Sequence, residues 1–202
     1  MYPPPIQNLI NAFAKFPGIG PRQAARMVFY LLNEPEAARA DLAGAVVDIA
    51  SLIITCRRCG NIESKEHADN NACSICTDKK RDQERIAIVE TVTDLRAIER
   101  TRTYGGLYHV LGGGIGASKS TEMDVSRAKQ CIERIVREKP TEVIIATSPT
   151  YEGDATARYL ERELPPKMPG TKLTRLARGL SKGVDLEYVD DETLREALAG
   201  RR

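Results

Sequence analysis

Four cysteines stand in two closely spaced pairs in the first half of the chain. Cys56 and Cys59 form one C-x-x-C motif, and Cys73 and Cys76 form another. Each motif can fold as a tight turn that presents two thiolates to one ion, so the two motifs together supply the four sulfur ligands of a tetrahedral Zn²⁺ site. Because four protein ligands leave no open position, the pattern predicts one structural zinc ion per chain and not a catalytic one.

Two disulfide bonds or a redox-active C-x-x-C motif are the alternative interpretations of these cysteines. The sequence has no signal peptide and no apolar run long enough to cross a bilayer, which predicts a cytoplasmic protein, where disulfides are rare. A thioredoxin-like motif needs one pair beside a strand–helix unit, not two pairs in a polar loop. His67 is predicted to be an exposed loop residue, and Cys131 a buried side chain of a helix.

A glycine-rich turn near the N-terminus is the second candidate site. Residues 16–26 read F-P-G-I-G-P-R-Q-A-A-R, and apolar residues at helical spacing stand on both sides. Pro17 disfavours helix at Phe16, so the first helix is expected to end there. Gly18 and Gly20 can adopt backbone angles that a side chain forbids, and Pro21 suits the first position of a new helix. The pattern predicts helix, hairpin, helix.

This hairpin is a candidate site for phosphate. Its amides and the N-terminus of the second helix point outward together, which favours an anion. Arg22 and Arg26 lie near that end and Lys15 lies on the other side. The alternative is an ordinary helical hairpin whose glycines serve close packing. The pattern also resembles the helix–hairpin–helix element of many DNA repair proteins, which holds the DNA backbone without reading its sequence. This resemblance implies that Lys15, Gly18, Gly20, Arg22 and Arg26 are candidate DNA-binding residues.

Four acidic residues follow predicted strands in the second half of the chain. Glu90 and Asp94 come after the strand at 86–89, and Glu152 and Asp154 come after the strand at 143–146. Because function gathers at the carboxyl ends of parallel strands, these acids could converge and hold Mg²⁺. The alternative, equally open, is that Asp94 and Asp154 cap helices and Glu90 forms a salt bridge.

The elements that must position these residues change in kind along the chain. The first 54 residues have helical periodicity. Beyond the cysteines, strands alternate with helices, which predicts a mainly parallel sheet covered by helices, followed by a short strand and a last helix from about residue 185. Four segments result: 1–54, 55–78 with the cysteines, 84–179 with the sheet, and a 180–202 tail. The predicted fold is thus a helical unit, a four-cysteine zinc finger and an α/β domain.

The composition limits how such a protein can bind nucleic acid. The chain has 202 residues with a net charge of +2, no tryptophan and 5% aromatic residues. It is therefore not a uniformly basic binder, and any DNA contact must use local patches. The scarcity of aromatic residues argues against base stacking as the main contact.

The hairpin, the cysteine loop and the acid-bearing α/β region, in this order, resemble the RecR family of bacterial recombination mediators. The similarity runs almost end to end, and the α/β region then resembles a Toprim domain, the fold shared with topoisomerases and primases. Two stretches depart from the family pattern: the loop after Gly113 looks shortened, and Ser181 and Lys182 replace a proline–valine turn. The stretches that carry the resemblance are F-P-G-I-G-P-R-Q-A-A-R, R-D-Q-E-R-I-A-I-V-E, Y-G-G-L-Y-H-V-L-G-G, A-T-S-P-T-Y-E-G-D-A-T-A and L-E-Y-V-D-D-E-T-L-R-E-A-L-A-G-R.

The resemblance implies a role without catalysis. Family members act with RecO and RecF at gapped DNA, help RecA replace single-strand binding protein, and assemble as rings or clamps whose Toprim face engages RecO. By position, Arg22 and Arg26 match the DNA contacts of the hairpin, and the four cysteines match the zinc ligands. The acidic Toprim positions are matched by Glu90, Glu152 and Asp154.

The sequence therefore predicts a clamp that binds the DNA backbone without reading its sequence, with steep salt dependence. One rival is an enzyme, a Mg²⁺-dependent Toprim-type nuclease or strand-transfer enzyme that uses the clustered acids. A second rival is a zinc-stabilised scaffold for protein partners without DNA contact.

Overall fold

The computed structural model describes residues 2–113, 122–180 and 182–201. The chain divides into two compact units, Met1–Ile53 and Ile54–Arg202. The shortened loop after Gly113 and the altered turn at Ser181 lie outside the described residues. The finer division into four segments stays a prediction.

The first unit consists of three helices, α1 (Pro4–Phe13), α2 (Pro21–Asn33) and α3 (Glu36–Leu52). Its small core joins Ile10 of α1 to Ala24 and Val28 of α2. None of the residues of α3 is buried. The predicted helix–hairpin–helix arrangement is confirmed, although α1 ends at Phe13, three residues before the predicted position, because a turn occupies residues 14–18.

A four-stranded parallel sheet forms the centre of the second unit. Its strands are β3 (Asp82–Val89), β4 (Gly106–Val110), β5 (Glu142–Ile145) and β6 (Lys172–Arg175), in the order β4-β3-β5-β6. Three helices connect them: α5 (Val92–Thr101), α6 (Glu122–Glu138) and α7 (Tyr151–Glu163). Leu95, Ile135 and Leu160, one from each helix, are fully buried in the core of the sheet, which confirms the predicted α/β fold.

The cysteine segment precedes this sheet and is made of short elements. Strands β1 (Ile53–Thr55) and β2 (Ile62–Ser64) pair as a two-stranded sheet. A 3-10 turn at Lys65–His67 and the single-turn helix α4 (Ser74–Thr77) follow. The cysteines belong to the same buried cluster as the sheet residues, so the segment is packed onto the α/β core.

The C-terminal tail corrects one prediction. The strand expected after residue 185 is wrong: Leu186–Tyr188 forms a 3-10 turn, and helix α8 (Asp191–Ala199) follows as predicted. The alternation in L-E-Y-V suggests a strand, but a strand also needs a partner edge, and no strand in the described ranges pairs with this segment. None of the helices in the described part of the chain has the length and apolar character needed to cross a membrane.

Candidate metal centre and nucleic-acid interface

The four predicted cysteine ligands lie together in the interior. Their sulfur atoms are all within 4.8 Å of one another, and none of the four residues is more than 6% exposed. The Cys59 Sγ–Cys73 Sγ distance is 3.6 Å, close to the ~3.8 Å between two sulfurs that each lie ~2.3 Å from a tetrahedral zinc ion. All five cysteines of the chain are described and none is in a disulfide. The donor set therefore fits one metal ion of thiolate preference.

Backbone amides hold the first cysteine motif in position. The N–H of Gly60 donates to the Cys56 carbonyl at 2.9 Å and that of Asn61 donates to Cys59 Sγ at 3.4 Å. Gly60 has φ of +77°, and a Cβ there would lie 2.6 Å from the Val110 carbonyl oxygen. The N–H of Val110 in turn donates to the Cys59 carbonyl at 2.7 Å. A glycine is therefore required where the motif meets β4.

The second motif is tied to the first. The N–H of Cys76 donates to the Cys73 carbonyl at 2.9 Å, and the N–H of Cys73 donates to Cys56 Sγ at 3.3 Å. Hydrogen bonds from the neighbouring thiols, led by Cys59, lower the pKa of Cys56. Amide donors that point at sulfur stabilise thiolates and orient them toward a metal.

The two other predictions made for this region are confirmed. His67 is exposed in the 3-10 turn and does not join the metal-binding group. Cys131 is fully buried in α6, and burial raises the pKa of its thiol to about 12. Cys131 is therefore an inert packing residue.

The N-terminal hairpin has the geometry that its glycines predicted. Gly18 has φ of +75°, and the N–H of Ile19 donates to the Phe16 carbonyl at 3.1 Å. Gly20 caps α2 in an extended conformation, and Pro21 is its first residue. The first amides of α2 have no intrahelical acceptor because they precede the first helical turn. An anion at this end would meet free donors and the positive end of the helix dipole.

Three basic side chains of the hairpin region are exposed: Lys15, Arg22 and Arg26. No carboxylate of the described residues forms an ion pair with any of them. Their charges remain available to a ligand.

The first pair of candidate acids has partners within the protein. Glu90 is 6% exposed, and its Oε2 accepts the N–H of Ser148 at 3.0 Å. Its Oε1 has no hydrogen-bond partner in the described part of the chain. Glu90 forms no ion pair with any described residue, so the structure does not support the alternative that it forms a salt bridge. Asp94 forms a capping box with Thr91, whose N–H donates to Asp94 Oδ2 at 2.8 Å, so its predicted capping role is confirmed.

The second pair of acids differs in exposure and in partners. Asp154 accepts hydrogen bonds from Arg175, at 2.7 Å, and from Arg178, which lower the pKa of its carboxyl group. The alternative that Asp154 caps its helix is wrong, because Thr150 caps α7. Glu152 is exposed. Across the described ranges, the four cysteines alone bring three or more metal-binding side chains within reach of one ion.

The sequence-based reasoning missed a group of arginines near the metal centre. Arg58 and Arg134 both form ion pairs with Glu138, each at 3.1 Å, and Arg134 is 2% exposed. The available signals were the two arginines inside C-R-R-C and the arginines of α6 at helical spacing, at positions 127, 134 and 137.

A helical hairpin, a group of four buried cysteines that could hold one metal ion, and a parallel α/β domain define a protein of the Toprim class. Family models agree in order along the chain. They describe "RecR, helix-hairpin-helix" at residues 6–50, "Toprim domain" at 84–177 and "RecR, C-terminal" at 179–202.

Relatives match over nearly the whole length. The recombination protein RecR of Bifidobacterium longum subsp. infantis is 45% identical over 98% of this chain and 95% of its own. That of Chloroflexus aggregans is 47% identical over 98% of this chain and 93% of its own. That of Thermobifida fusca is 45% identical over 100% of this chain and 98% of its own. The chain belongs to the RecR family of recombination proteins.

Proposed function

We propose that this protein mediates DNA recombination and repair as a ring or clamp on the DNA backbone. In this role it acts at gapped DNA with RecO and RecF and helps to load RecA onto the single strand. The residues that we assign to DNA contact are those of the hairpin: Lys15, Gly18, Gly20, Arg22 and Arg26.

The observation that carries the proposal is the hairpin itself. A glycine at positive φ, an extended glycine cap and a proline at the first helical position leave amide donors free at the start of α2. Arg22 and Arg26 add two exposed positive charges on the same helix, and neither pairs with a carboxylate of the residues that the structure describes. Amides and guanidinium groups together match a phosphate diester and contact no base edge, so binding should be independent of sequence.

The metal is proposed to be Zn²⁺ in a structural role. Four buried thiolates suit zinc better than a hard cation and leave no open position for a reaction. The hydrogen bond from the Val110 N–H to the Cys59 carbonyl and the close approach of Gly60 to the Val110 carbonyl oxygen join the first cysteine motif to β4. Bound zinc would hold the cysteine segment against the sheet.

The acids are proposed to serve partner recognition rather than catalysis. Asp94 is engaged in a capping box and Asp154 in pairs with two arginines. Glu90 and exposed Glu152 are the acids left for a cation or for a basic surface of RecO. A Mg²⁺-dependent enzyme would need these carboxylates to gather around one ion.

A labelled gapped duplex in Mg²⁺ tests the proposal. Wild type is compared with Arg22→Glu/Arg26→Glu and with Arg100→Glu/Arg162→Glu, which makes the same charge change on exposed residues of α5 and α7. Each sample is divided between a native and a denaturing gel, with and without RecO. We expect intact DNA that shifts with wild type and the control but not with the hairpin variant.

Two results would overturn parts of the proposal. Equal shifts by the hairpin variant and wild type would remove the hairpin as the DNA contact. Cleaved DNA that becomes intact in a Glu90→Gln/Glu152→Gln variant would establish the enzyme instead. A shift by wild type that occurs only with RecO would make the partner part of the DNA site.

A further inference from the structure

A cleft of about 820 Å³ opens in the second unit between the first cysteine motif, the end of β4 and α6. Its wall is unusually rich in arginine. The arginines that line it are Arg57, Arg58, Arg127, Arg134 and Arg137, and Glu133 is a carboxylate of the same lining.

Two elements supply the arginines. Arg57 and Arg58 are the two middle residues of the first C-x-x-C motif, while Arg127, Arg134 and Arg137 recur along α6 at the spacing of one helical face. At the end of β4, Gly112 lies against Arg127: a Cβ at Gly112 would be 1.6 Å from Arg127 Nη1. Because Gly112 has no side chain, the Arg127 guanidinium can lie directly against the backbone at the wall of the cleft.

The most buried of these arginines has an unused donor. Arg134 is 2% exposed; its Nη1 donates to the Tyr108 carbonyl at 2.6 Å and its Nε donates to Glu138 at 3.1 Å. Its Nη2 is buried with no hydrogen-bond partner in the part of the chain that the structure describes. A buried guanidinium donor without an acceptor is costly. A ligand oxygen in the cleft that Arg134 lines would supply that acceptor.

The charge of the cleft is only partly neutralised from within. Glu133 lines the cleft and forms no ion pair with a described residue. Beside the cleft, Glu138 pairs with Arg58 and Arg134 and, at 3.9 Å, with Arg137, and Arg58 also donates to the Cys76 carbonyl. Arg58 and Arg134 therefore serve the metal centre and the fold. Arg57 and Arg127 are exposed, and neither pairs with a carboxylate of residues 2–113, 122–180 or 182–201. Neutralising the thiolate centre accounts for Arg58, but it does not account for Arg127 on α6.

We propose that this cleft binds the phosphate groups of a DNA strand, as a second backbone contact on the α/β unit. The inference rests on the proposed function and adds a site to it. Guanidinium groups bind phosphate oxygens bidentately. From residue 127 to residue 137 a helix extends about 15 Å. The arginine face of α6 is therefore longer than one phosphate group and can contact the phosphates of more than one nucleotide.

The test uses the full-length protein and removes only exposed arginines. Arg57→Gln/Arg127→Gln is compared with the matched control Arg100→Gln/Arg162→Gln, which loses the same two charges outside the cleft. Fluorescence anisotropy with labelled single-stranded and gapped DNA is recorded over a salt series. We expect the cleft variant to bind about tenfold more weakly. Each lost phosphate contact reduces the magnitude of the slope of log affinity against log salt by about 0.7 on single strands and about 0.9 on duplex DNA. The loss of two contacts should therefore reduce that magnitude by about 1.4 to 1.8. The control should stay near wild type. Arg57→Lys/Arg127→Lys should keep the wild-type salt slope because it keeps both charges, but it should bind more weakly because an ammonium group cannot form the bidentate contact.

Further measurements separate this site from its alternatives. The zinc content and the sedimentation of each variant are measured first. If the substitution of Arg57 reduces the zinc content, the single variant Arg127→Gln is used for the test instead, and its salt slope should change by about one. A cleft variant with unchanged affinity and slope would overturn the inference. A second result would also overturn it: inorganic phosphate or ATP stabilises wild type against heat but not the cleft variant, while the cleft variant binds DNA normally. The cleft would then be a site for a free phosphate compound.

The hairpin variant Arg22→Glu/Arg26→Glu is titrated in parallel. If it binds like wild type, the hairpin contact of the proposed function fails whatever the cleft variant does. If it loses DNA while the cleft variant keeps it, only the present inference fails.

Discussion

His109 is an ionisable side chain that the fold keeps neutral. It is 7% exposed on β4. Burial and the neighbouring guanidinium of Arg134 lower its pKa from 6.5 to about 3, while Glu138 and Cys56 act in the opposite direction. Between these two values the unfolded chain binds a proton that the folded protein does not. Stability from this residue is therefore present above pH 6.5 and is lost as the pH falls toward 3.

We expect His109→Gln to have a flatter dependence of stability on pH than wild type. Between pH 7.5 and 5.5 the histidine should contribute a loss of about 1 kcal/mol that the variant lacks. Urea unfolding at both pH values measures this difference in stability. The metal content is determined in parallel, because acid also protonates the cysteine thiolates in both proteins. Parallel pH dependences in the two proteins would contradict the buried, neutral histidine.

At this scale the sequence identified residue types better than roles. The spacing of Cys56, Cys59, Cys73 and Cys76 was sufficient because a four-thiolate site is built from two local turns. The acids were ambiguous because a helix cap and a metal ligand use the same residues at the same strand ends. The role of Asp94 is decided by Thr91, which is three residues away in the sequence. The role of Asp154 is decided by Arg175 and Arg178, and ion pairs between residues so far apart in the sequence leave no local pattern.

The turn of the first cysteine motif depends on Gly60 for two separate reasons. Its φ of +77° disfavours any side chain, and a Cβ would lie 2.6 Å from the Val110 carbonyl oxygen. Gly170 has φ of +95° with no atom within 4 Å of a Cβ among those described. A comparison of substitutions at Gly60 and Gly170 therefore separates the cost of backbone strain from the cost of a steric clash.

We expect Gly60→Ala to be much more harmful than Gly170→Ala. The Gly170 substitution should cost only the strain of positive φ, about 1–2 kcal/mol. The Gly60 substitution adds a clash with backbone and should also weaken metal retention, since the motif must move away from β4. Urea unfolding and competition with a chelator measure the two effects. Equal losses for both variants, with zinc retained, would show that the approach of Gly60 to Val110 is unimportant.

Helix α8 is held to the second unit by charge more than by burial. None of its residues is buried. Arg178 forms ion pairs with Asp154 of α7 and, at 2.9 Å, with Glu196 of α8. The sequence predicted this helix, but it also predicted a strand before it, because the alternation in L-E-Y-V is local whereas strand pairing is not.

Substitution of Arg178 should loosen α8 and leave the sheet unchanged. Each pair is partly exposed and contributes at most about 1 kcal/mol, so amides of α8 in Arg178→Ala should exchange roughly fivefold faster. Arg195→Ala, an exposed change within α8, is the control. Hydrogen exchange of α8 that matches wild type would show that other contacts anchor the helix.

The whole molecule has a low net charge for a protein that we propose to bind DNA. At +2 over 202 residues, its general field adds little, and binding must come from local groups such as the hairpin cations. One hairpin offers few phosphate contacts, and tight binding then requires several hairpins on the same DNA molecule. A clamp built from several copies meets this requirement, whereas independent subunits do not.

Mixed assemblies distinguish the two cases. We expect wild type co-expressed in equal amounts with Arg22→Glu/Arg26→Glu to bind gapped DNA more weakly than the average of the two, because most assemblies would lack at least one functional hairpin and multivalent affinity falls with each one lost. Titration of the mixture and of both pure proteins, with subunit composition checked by mass spectrometry, measures this. If subunits bound separately, the mixture would have the wild-type Kd at half the capacity, and the clamp would be excluded.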